Sequence, residues 1–266
     1  MKISFIGGGV MGEAIIKGVL AKEIAKPDDI VVSDVIQVRR ELLNKQHGVK
    51  TVADNHEAAE GAEIVVVAVK PQDLIKVLDE LKGLSTKQLV ISIVAGATLD
   101  TLRQGLAHDC IVRTMPNMPA QVGQGMTVWT ATSGVSAQQK QVASSILSAL
   151  GEELYVNNEK YIDMATAVSG SGPAYIFLLI EALTDAGVHI GLPRDMAEKM
   201  VIQTVLGSAY SVKVSGKHPA ELKNKVTSPG GTTTEGLLQL EAGGLRSLLL
   251  TAVIAAYDKS KSLGAK

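Results

Sequence analysis

Apolar residues in the first half of the chain gather into short continuous runs, and those of the second half wrap long helical stretches. Runs at 3–6, 30–33, 64–69, 89–94, 111–114 and 126–130 predict β-strands. Between them, 13–21, 38–46, 73–81 and 99–105 read as helices, followed by another at 137–150 and a short run at 153–156. The run Ile64-Val65-Val66-Val67-Ala68-Val69 carries no polar residue, as a parallel strand covered on both faces requires. The alternation predicts βαβ units and an α/β fold, with a first domain over 1–156.

No convincing strand follows Val156. Pro173, Pro193 and Pro219 each stand where a first helical residue belongs. Helices are expected at about 158–168, 173–186, 193–214, 219–226, 232–242 and 244–263, which makes 157–266 an all-helical domain. Residues 174–183 and 245–257 are apolar around most of the helix circumference. So short a domain cannot cover such helices alone, so a homodimer is expected, at the least.

Composition narrows the class. The chain of 266 residues is 46% apolar and 20% charged with a net charge of −1, which gives no reason to expect nucleic acid or an acidic membrane surface as partner. The single cysteine, Cys110, excludes an internal disulfide and a cysteine-based zinc cluster, and its neighbours Ile111 and Val112 favour a buried thiol. The five histidines lie in no metal-ligand spacing, so no metal is expected; His189 and His218 are placed on loops or helix ends. The first strand begins at Lys2, without the basic start and separate apolar core of a signal peptide, and the expected location is cytoplasmic.

The chemistry starts directly after the first strand. Gly7, Gly9 and Gly12 fit G-x-G-x-x-G with a strand before and a helix after, the context that motif needs to bind a dinucleotide. Gly7 permits the tight turn, Gly9 lets the backbone approach a pyrophosphate, and Gly12 lets the helix pack against the strand. Ile6, Gly8, Val10 and Met11 complete this cofactor-binding stretch. Asp34 closes the second strand, where a carboxylate binds the ribose hydroxyls of NAD. A 2′-phosphate there would meet that carboxylate at a cost of ~4 kcal/mol per unit-charge pair at 4 Å and an effective dielectric of ~20. Arg39 and Arg40 are expected about a turn away, so NADH is favoured over NADPH. The alternative is that Asp34 only caps the following helix.

Other residues fall at the same sheet edge. Lys70-Pro71 follows the third strand of the parallel series, with Pro71 forcing Lys70 into an extended conformation. Ala95-Gly96 leaves room for a nicotinamide, and Asn117 could hydrogen-bond its amide or ribose. Each could also be plain loop chemistry.

Two motifs mark the helical half. Ser169-Gly170-Ser171-Gly172-Pro173 is expected to break a helix, and Ser228-Pro229-Gly230-Gly231-Thr232-Thr233-Thr234 precedes one. Both are read as helix N-termini presenting free N–H donors to an anion, or more plainly as capped turns. Neither contains a lysine or histidine to protonate a ketone oxygen. An imine nitrogen is basic and can arrive protonated, so its reduction needs orientation more than a strong acid.

With these residues in view, the chain resembles the pyrroline-5-carboxylate reductases over essentially its whole length. The likeness rests on GGGVMG at 7–12, Ala68-Val69-Lys70-Pro71-Gln72, Arg113-Thr114-Met115-Pro116-Asn117, SGSGPAY at 169–175 and Gly191-Leu192-Pro193. Val226-Thr227-Ser228-Pro229-Gly230-Gly231-Thr232-Thr233 with Gly243-Gly244-Leu245-Arg246-Ser247 is its most specific part. The resemblance implies a Rossmann domain, then an all-helical dimerisation domain that interleaves with its twin. It implies NADPH- or NADH-dependent reduction of 1-pyrroline-5-carboxylate to L-proline, the last step of proline biosynthesis. By the same analogy Asn55 approaches the adenosine end, and Ala68, Val69, Lys70, Pro71, Ala95 and Gly96 line the cofactor. Ser228 and the backbone around Gly230, Gly231, Thr232 and Thr233, with Ser171, hold the substrate. Thr233 bonds the ring nitrogen and is the catalytic candidate. Asp34 stands where many members carry a small hydroxyl residue, a departure that favours NADH.

A β-hydroxyacid dehydrogenase relative is the alternative enzyme, but it requires a lysine on the first long helix of the second domain, and 161–182 has none. A non-catalytic dinucleotide-binding regulatory module is the alternative outside enzymes.

Overall fold

Eight strands form one sheet in a computed structural model of the protein, whose described residues run from 1 to 264. They are β1 (Ile3–Ile6), β2 (Ile30–Ser33), β3 (Lys50–Val52), β4 (Ile64–Val67), β5 (Leu89–Ser92), β6 (Ile111–Met115), β7 (Gly125–Ala131) and β8 (Gly151–Tyr155). Their spatial order is β3-β2-β1-β4-β5-β6-β7-β8, parallel up to β6; β7 runs antiparallel to β6, and β8 is parallel to β7. The order reverses between β1 and β4, and such a switch point opens a crevice at the carboxyl ends of the strands.

The sequence pattern finds most of these strands, with ends that differ by a residue or two. The run 64–69 stays apolar beyond the strand, which ends at Val67, because apolar composition reports burial and not pairing. β3 and the helix α3 (Asn55–Ala59) are not anticipated: three and five residues are too few to show a period.

Helices cover both faces: α1 (Val10–Ala21), α2 (Gln37–His47), α4 (Leu74–Glu80), α5 (Leu99–Leu106) and α6 (Ala137–Ser148). Local chemistry sets their ends. Thr98 caps α5 by accepting from the Thr101 amide at 3.0 Å, Ser136 and Gln139 form a capping box on α6, and Gly48 closes α2 with φ 69°. Phe5, Ile16, Val66 and Leu147 belong to one core layer and Ile6, Val65, Leu78 and Leu102 to the other. Each such fully buried side chain contributes roughly 1.5–3 kcal/mol. Cys110, expected to be buried, is half-buried at the margin of this core, its thiol directed to the Gly134 carbonyl at 3.2 Å.

One correction concerns 169–173. Instead of a break, a continuous helix runs Lys160–His189, made of α7 (Lys160–Ala165), a π-turn over Thr166–Gly170 and α8 (Gly172–His189). The Ser171 amide donates to the Thr166 carbonyl five residues back, at 2.8 Å, so an extra residue is absorbed without ending the helix. Ser171 therefore has no free amide. Pro173 lacks the N–H that would serve the Ser169 carbonyl, and the Asn117 side-chain amide serves it instead at 3.0 Å.

The remaining helices are α9 (Arg194–Ser215), α10 (Pro219–Lys225), α11 (Thr232–Ala242) and α12 (Leu245–Gly264). His189 ends α8 and His218 caps α10, as their sequence positions suggest. By contacts the chain divides into two units, Met1–Ser171 together with the end of α12 from Ala256, and Gly172–Ala255. α7 joins the strand-rich unit through a buried ion cluster. The Arg113 guanidinium, 3% exposed, meets Glu159 and, at 3.0 Å, Asp163. Glu159 also accepts from the Leu99 amide at 2.7 Å, and Asp163 from Ser260 of α12 at 3.3 Å.

The helical unit has little interior. Within 172–255 only Thr184 and Ala197 are buried. α8 and α9 approach closely where a Cβ at Gly187 would lie 3.0 Å from that of Ala197. Phe177, Leu178, Leu206, Tyr210, Leu248 and Leu250 are all at least half exposed in the single chain.

Candidate active site

The strand-rich unit builds a dinucleotide cradle at the end of β1. Gly7 has φ 98°, donates its amide to the Ser33 carbonyl at 2.9 Å, and would place a Cβ 2.7 Å from the Ala68 carbonyl oxygen. Both backbone angle and space demand glycine there. Gly12 packs equally close, a Cβ falling 2.6 Å from the Gly7 carbonyl. Gly9 is the opposite case: nothing lies within 4 Å of its Cβ position. The amides of Val10, Met11 and Gly12, at the first turn of α1, have no acceptor among the described residues. Open space above Gly9 and three unsatisfied donors at the positive end of a helix fit a pyrophosphate.

At the adenosine side, the Asp34 carboxylate makes two bonds within the chain. One carboxylate oxygen accepts from the Gly8 amide at 2.9 Å and the other from the Ile36 amide at 2.9 Å. It thus shapes the glycine loop and the entry to α2, and each oxygen keeps a further lone pair. Asn55, the first residue of α3, accepts from the Ser33 hydroxyl at 2.6 Å and donates to Glu80 at 2.6 Å, which places it at the carboxyl end of β2.

Ala68 and Val69 leave the end of β4 beside Gly7, and Lys70 is extended, with φ −71° and ψ 149°, as Pro71 requires. Two other expectations change. A Cβ at Gly96 would meet Leu263 of α12 at 3.3 Å, so this glycine gives room to a helix end and not to open space. Asn117 is not a free amide: its oxygen accepts from the Met126 amide at 2.9 Å while its nitrogen holds Ser169, so it ties β7 to the π-turn.

Sequence reasoning sets one charged group, Arg39, a turn away from the cradle, and the structure brings it alongside. Arg39 donates to the Gly8 carbonyl, to the Gly9 carbonyl at 3.4 Å and to Glu13, and Glu13 in turn pairs with His47 at 3.0 Å. Burial pushes the Glu13 carboxyl up, but the hydrogen bonds and charges of His47 and Arg39 outweigh it and leave it below the ordinary carboxylate value. The rise of one turn along α2 does not keep Arg39 away, because its side chain is long enough to reach back. The motif around Arg113 carries no local sign of that residue's role; only the three-dimensional approach of α7 reveals one.

The helical unit holds the second motif at the start of α11. Gly230 has φ 67°, the Gly231 amide donates to the Ser228 carbonyl at 3.0 Å, and Thr234 donates its hydroxyl to the same carbonyl at 2.7 Å. A Cβ on Gly231 would lie 2.5 Å from the Ser228 hydroxyl oxygen, so glycine is needed for this close fold. Gly231 provides no side-chain cap, and the amides of Thr232 and Thr233 have no acceptor among the described residues. This N-terminus can take a carboxylate, and Thr234 leaves the Thr233 hydroxyl unused within the loop.

Comparison with known proteins follows this geometry. A family model described as pyrroline-5-carboxylate reductase dimerisation matches residues 159–263, and one described as NADP oxidoreductase, coenzyme F420-dependent, matches residues 2–96. A pyrroline-5-carboxylate reductase from Synechocystis is 47% identical over 266 residues, covering 100% of this chain and 99% of its own, and one from Escherichia coli is 41% identical, covering 98% of each. The solved pyrroline-5-carboxylate reductase of Coxiella burnetii superposes with a TM-score of 0.91 at 39% identity, covering 98% of both chains. A Plasmodium falciparum pyrroline carboxylate reductase with NADP bound has a TM-score of 0.91 at 35% identity, covering 99% of this chain and 98% of its own.

Proposed function

The chain belongs to the pyrroline-5-carboxylate reductase family, and from that premise we propose how its own residues reduce 1-pyrroline-5-carboxylate to L-proline. It is an oxidoreductase of proline biosynthesis that uses NADPH or NADH, and it works as a homo-oligomer built through the helical dimerisation domain. That membership sets aside the hydroxyacid dehydrogenase and the non-catalytic module. The apolar helix Lys160–His189, with a mean hydropathy of 1.3 over its best window, is long and apolar enough to cross a membrane by composition alone. It lies within the dimerisation match, so its cover is a second copy.

A bound nicotinamide supplies a hydride to the imine carbon. As that C–H bond forms, the C=N π electrons move to nitrogen, whose proton makes the product a secondary amine. In our reading Val10, Met11 and Gly12 hold the pyrophosphate, with Ile6, Gly7, Gly8 and Gly9 forming the turn beneath it. Asp34 and Asn55 meet the adenosine ribose, and Ala68, Val69, Lys70, Pro71 and Ala95 border the cofactor. Gly96 and Asn117 shape that border indirectly, through α12 and the π-turn. Asp34 favours NADH.

The substrate carboxylate rests on the amides of Thr232 and Thr233, with Ser228, Gly230 and Gly231 setting the loop. The Thr233 hydroxyl orients the ring nitrogen; an alcohol is too weak an acid to be the sole proton source. The observation that carries this reading is the pair of unsatisfied amides at Thr232 and Thr233 above a loop that Thr234, not Thr233, closes. A dinucleotide domain over 1–156 and a substrate and dimerisation domain over 157–266 is the corresponding division of labour. A cytoplasmic location suits the free thiol of Cys110.

The test is direct. Purified protein mixed with NADH or NADPH is expected to lose nicotinamide absorbance only after 1-pyrroline-5-carboxylate is added, with proline appearing in equal amount. Cofactor oxidation without proline, or no reaction with either cofactor, would sink the proposal.

A further inference from the structure

The peptide of Gly8 is gripped by two opposite charges. Its N–H donates to Asp34 at 2.9 Å, and its carbonyl accepts from the Arg39 guanidinium. Arg39 is therefore a cation at the same residue of the glycine loop that Asp34 touches, on the side where the adenosine ribose is proposed to lie. It is not idle there. Glu13, in the first turn of α1, binds its Nη2, and His47, at the end of α2, binds the other Glu13 oxygen at 3.0 Å. Side chains of all three are largely covered, at 20% exposure for Arg39, 25% for Glu13 and 14% for His47. The neighbouring Arg40 is directed elsewhere, to the Asp34 carbonyl at 2.6 Å.

A guanidinium can offer a fork of N–H donors to a phosphate, but a donor already matched to a carboxylate is held back, and its charge is neutralised. We propose that Glu13, steadied by His47, is a specificity-determining residue: it holds Arg39 away from the 2′-phosphate of NADPH and thereby tilts the enzyme toward NADH. Asp34 repels that phosphate directly; Glu13 withholds Arg39, the cation seated on the Gly8 carbonyl, from compensating. The inference rests on the proposed cofactor site and adds to it a residue that touches neither ribose nor phosphate.

The experiment is equilibrium titration of the full-length enzyme with NADPH and with NADH, followed by nicotinamide fluorescence and without substrate. Glu13→Gln is expected to raise NADPH affinity relative to NADH by about fivefold, the upper range for one partly exposed charge pair. The gain should shrink with added salt and vanish in the Glu13→Gln, Arg39→Gln double variant. A purely structural role for Glu13 would change both affinities together and leave their ratio fixed. An unchanged ratio, or a gain that survives loss of Arg39, overturns the proposal. Should Glu13→Gln fail to fold, Glu13→Asp tests it, because the shorter side chain loosens its hold on Arg39: NADPH affinity must rise relative to NADH affinity, and an unchanged ratio overturns it. If the wild-type enzyme binds neither dinucleotide, the underlying site assignment has failed instead.

Discussion

Phe5, Ile15, Ile16 and Leu43 are sealed inside the strand-rich unit, whereas Phe177, Leu178, Leu206 and Leu250 of the helical unit stand open in the single chain. The difference lies in geometry more than in composition. A parallel sheet needs helices on both faces, and the βαβ connections of one chain supply them. A helix that is apolar around its circumference needs neighbours on every side, and α8, α9, α11 and α12 are too few to provide them. One unit is completed by its own sequence; the other is completed by a second copy. Stability and assembly should accordingly fail separately when each is attacked.

The largest effect is expected from the open surface. Leu178→Glu combined with Leu250→Glu should abolish the oligomer at micromolar concentration, since each change removes roughly 1.5–3 kcal/mol of burial and sets a carboxylate without a partner in the interface. Sedimentation velocity reads the outcome. A double variant that assembles like wild type, or a wild-type protein that is a stable active monomer, would break the comparison.

Arg113→Met attacks the other unit. It leaves Glu159 and Asp163 without their cation at the junction of β6, α7 and the end of α12. Stranding a buried pair costs about 3–5 kcal/mol, and the partial exposure of these two carboxylates points to the lower end. Denaturant unfolding should show that loss, while the assembled mass under native conditions stays the same. Equal stability of variant and wild type would mean the cluster contributes only geometry.

Function divides along the same line. Thr233→Ala should lower kcat by about 10², the smaller loss typical of removing one oriented donor, and leave cofactor affinity nearly intact. The reason is that Thr233 stands in the helical unit, while the pyrophosphate donors stand at α1. Stopped turnover with equal dinucleotide binding sharpens the division; a fall in cofactor binding contradicts it.

Legibility follows the same contrast. The glycine turn was readable because G-x-G-x-x-G constrains backbone conformation locally, and φ 98° at Gly7 is what such a turn needs. The need for a second copy was readable because burial on all sides of a helix leaves a mark in composition. The π-turn was not: Ser169 to Pro173 carries every local sign of a break, and the Asn117 amide that rescues the Ser169 carbonyl comes from 52 residues away. Nor were the tasks of Asn117, Gly96 and Arg39, since each depends on a partner far along the chain. Motifs report what a segment does to its own backbone; they are silent about what reaches in from elsewhere.

The smallest and most discriminating test returns to Asp34. Its carboxylate has two tasks in the structure, holding the Gly8 amide and the Ile36 amide, beyond any contact with a ribose. Replacing it with serine removes the negative charge but keeps an oxygen that can accept from a nearby amide. Loosening the glycine loop would weaken NADH and NADPH alike, so absolute affinity cannot separate shape from charge. The ratio can, because only NADPH brings a second negative group to that position. Asp34→Ser is expected to improve NADPH use relative to NADH by about ten- to a hundredfold, or roughly 1.4–2.8 kcal/mol. Steady-state kcat/KM with each cofactor measures it. A ratio that does not move, with both values lowered, would make Asp34 a brace for the glycine loop and leave cofactor choice to other residues.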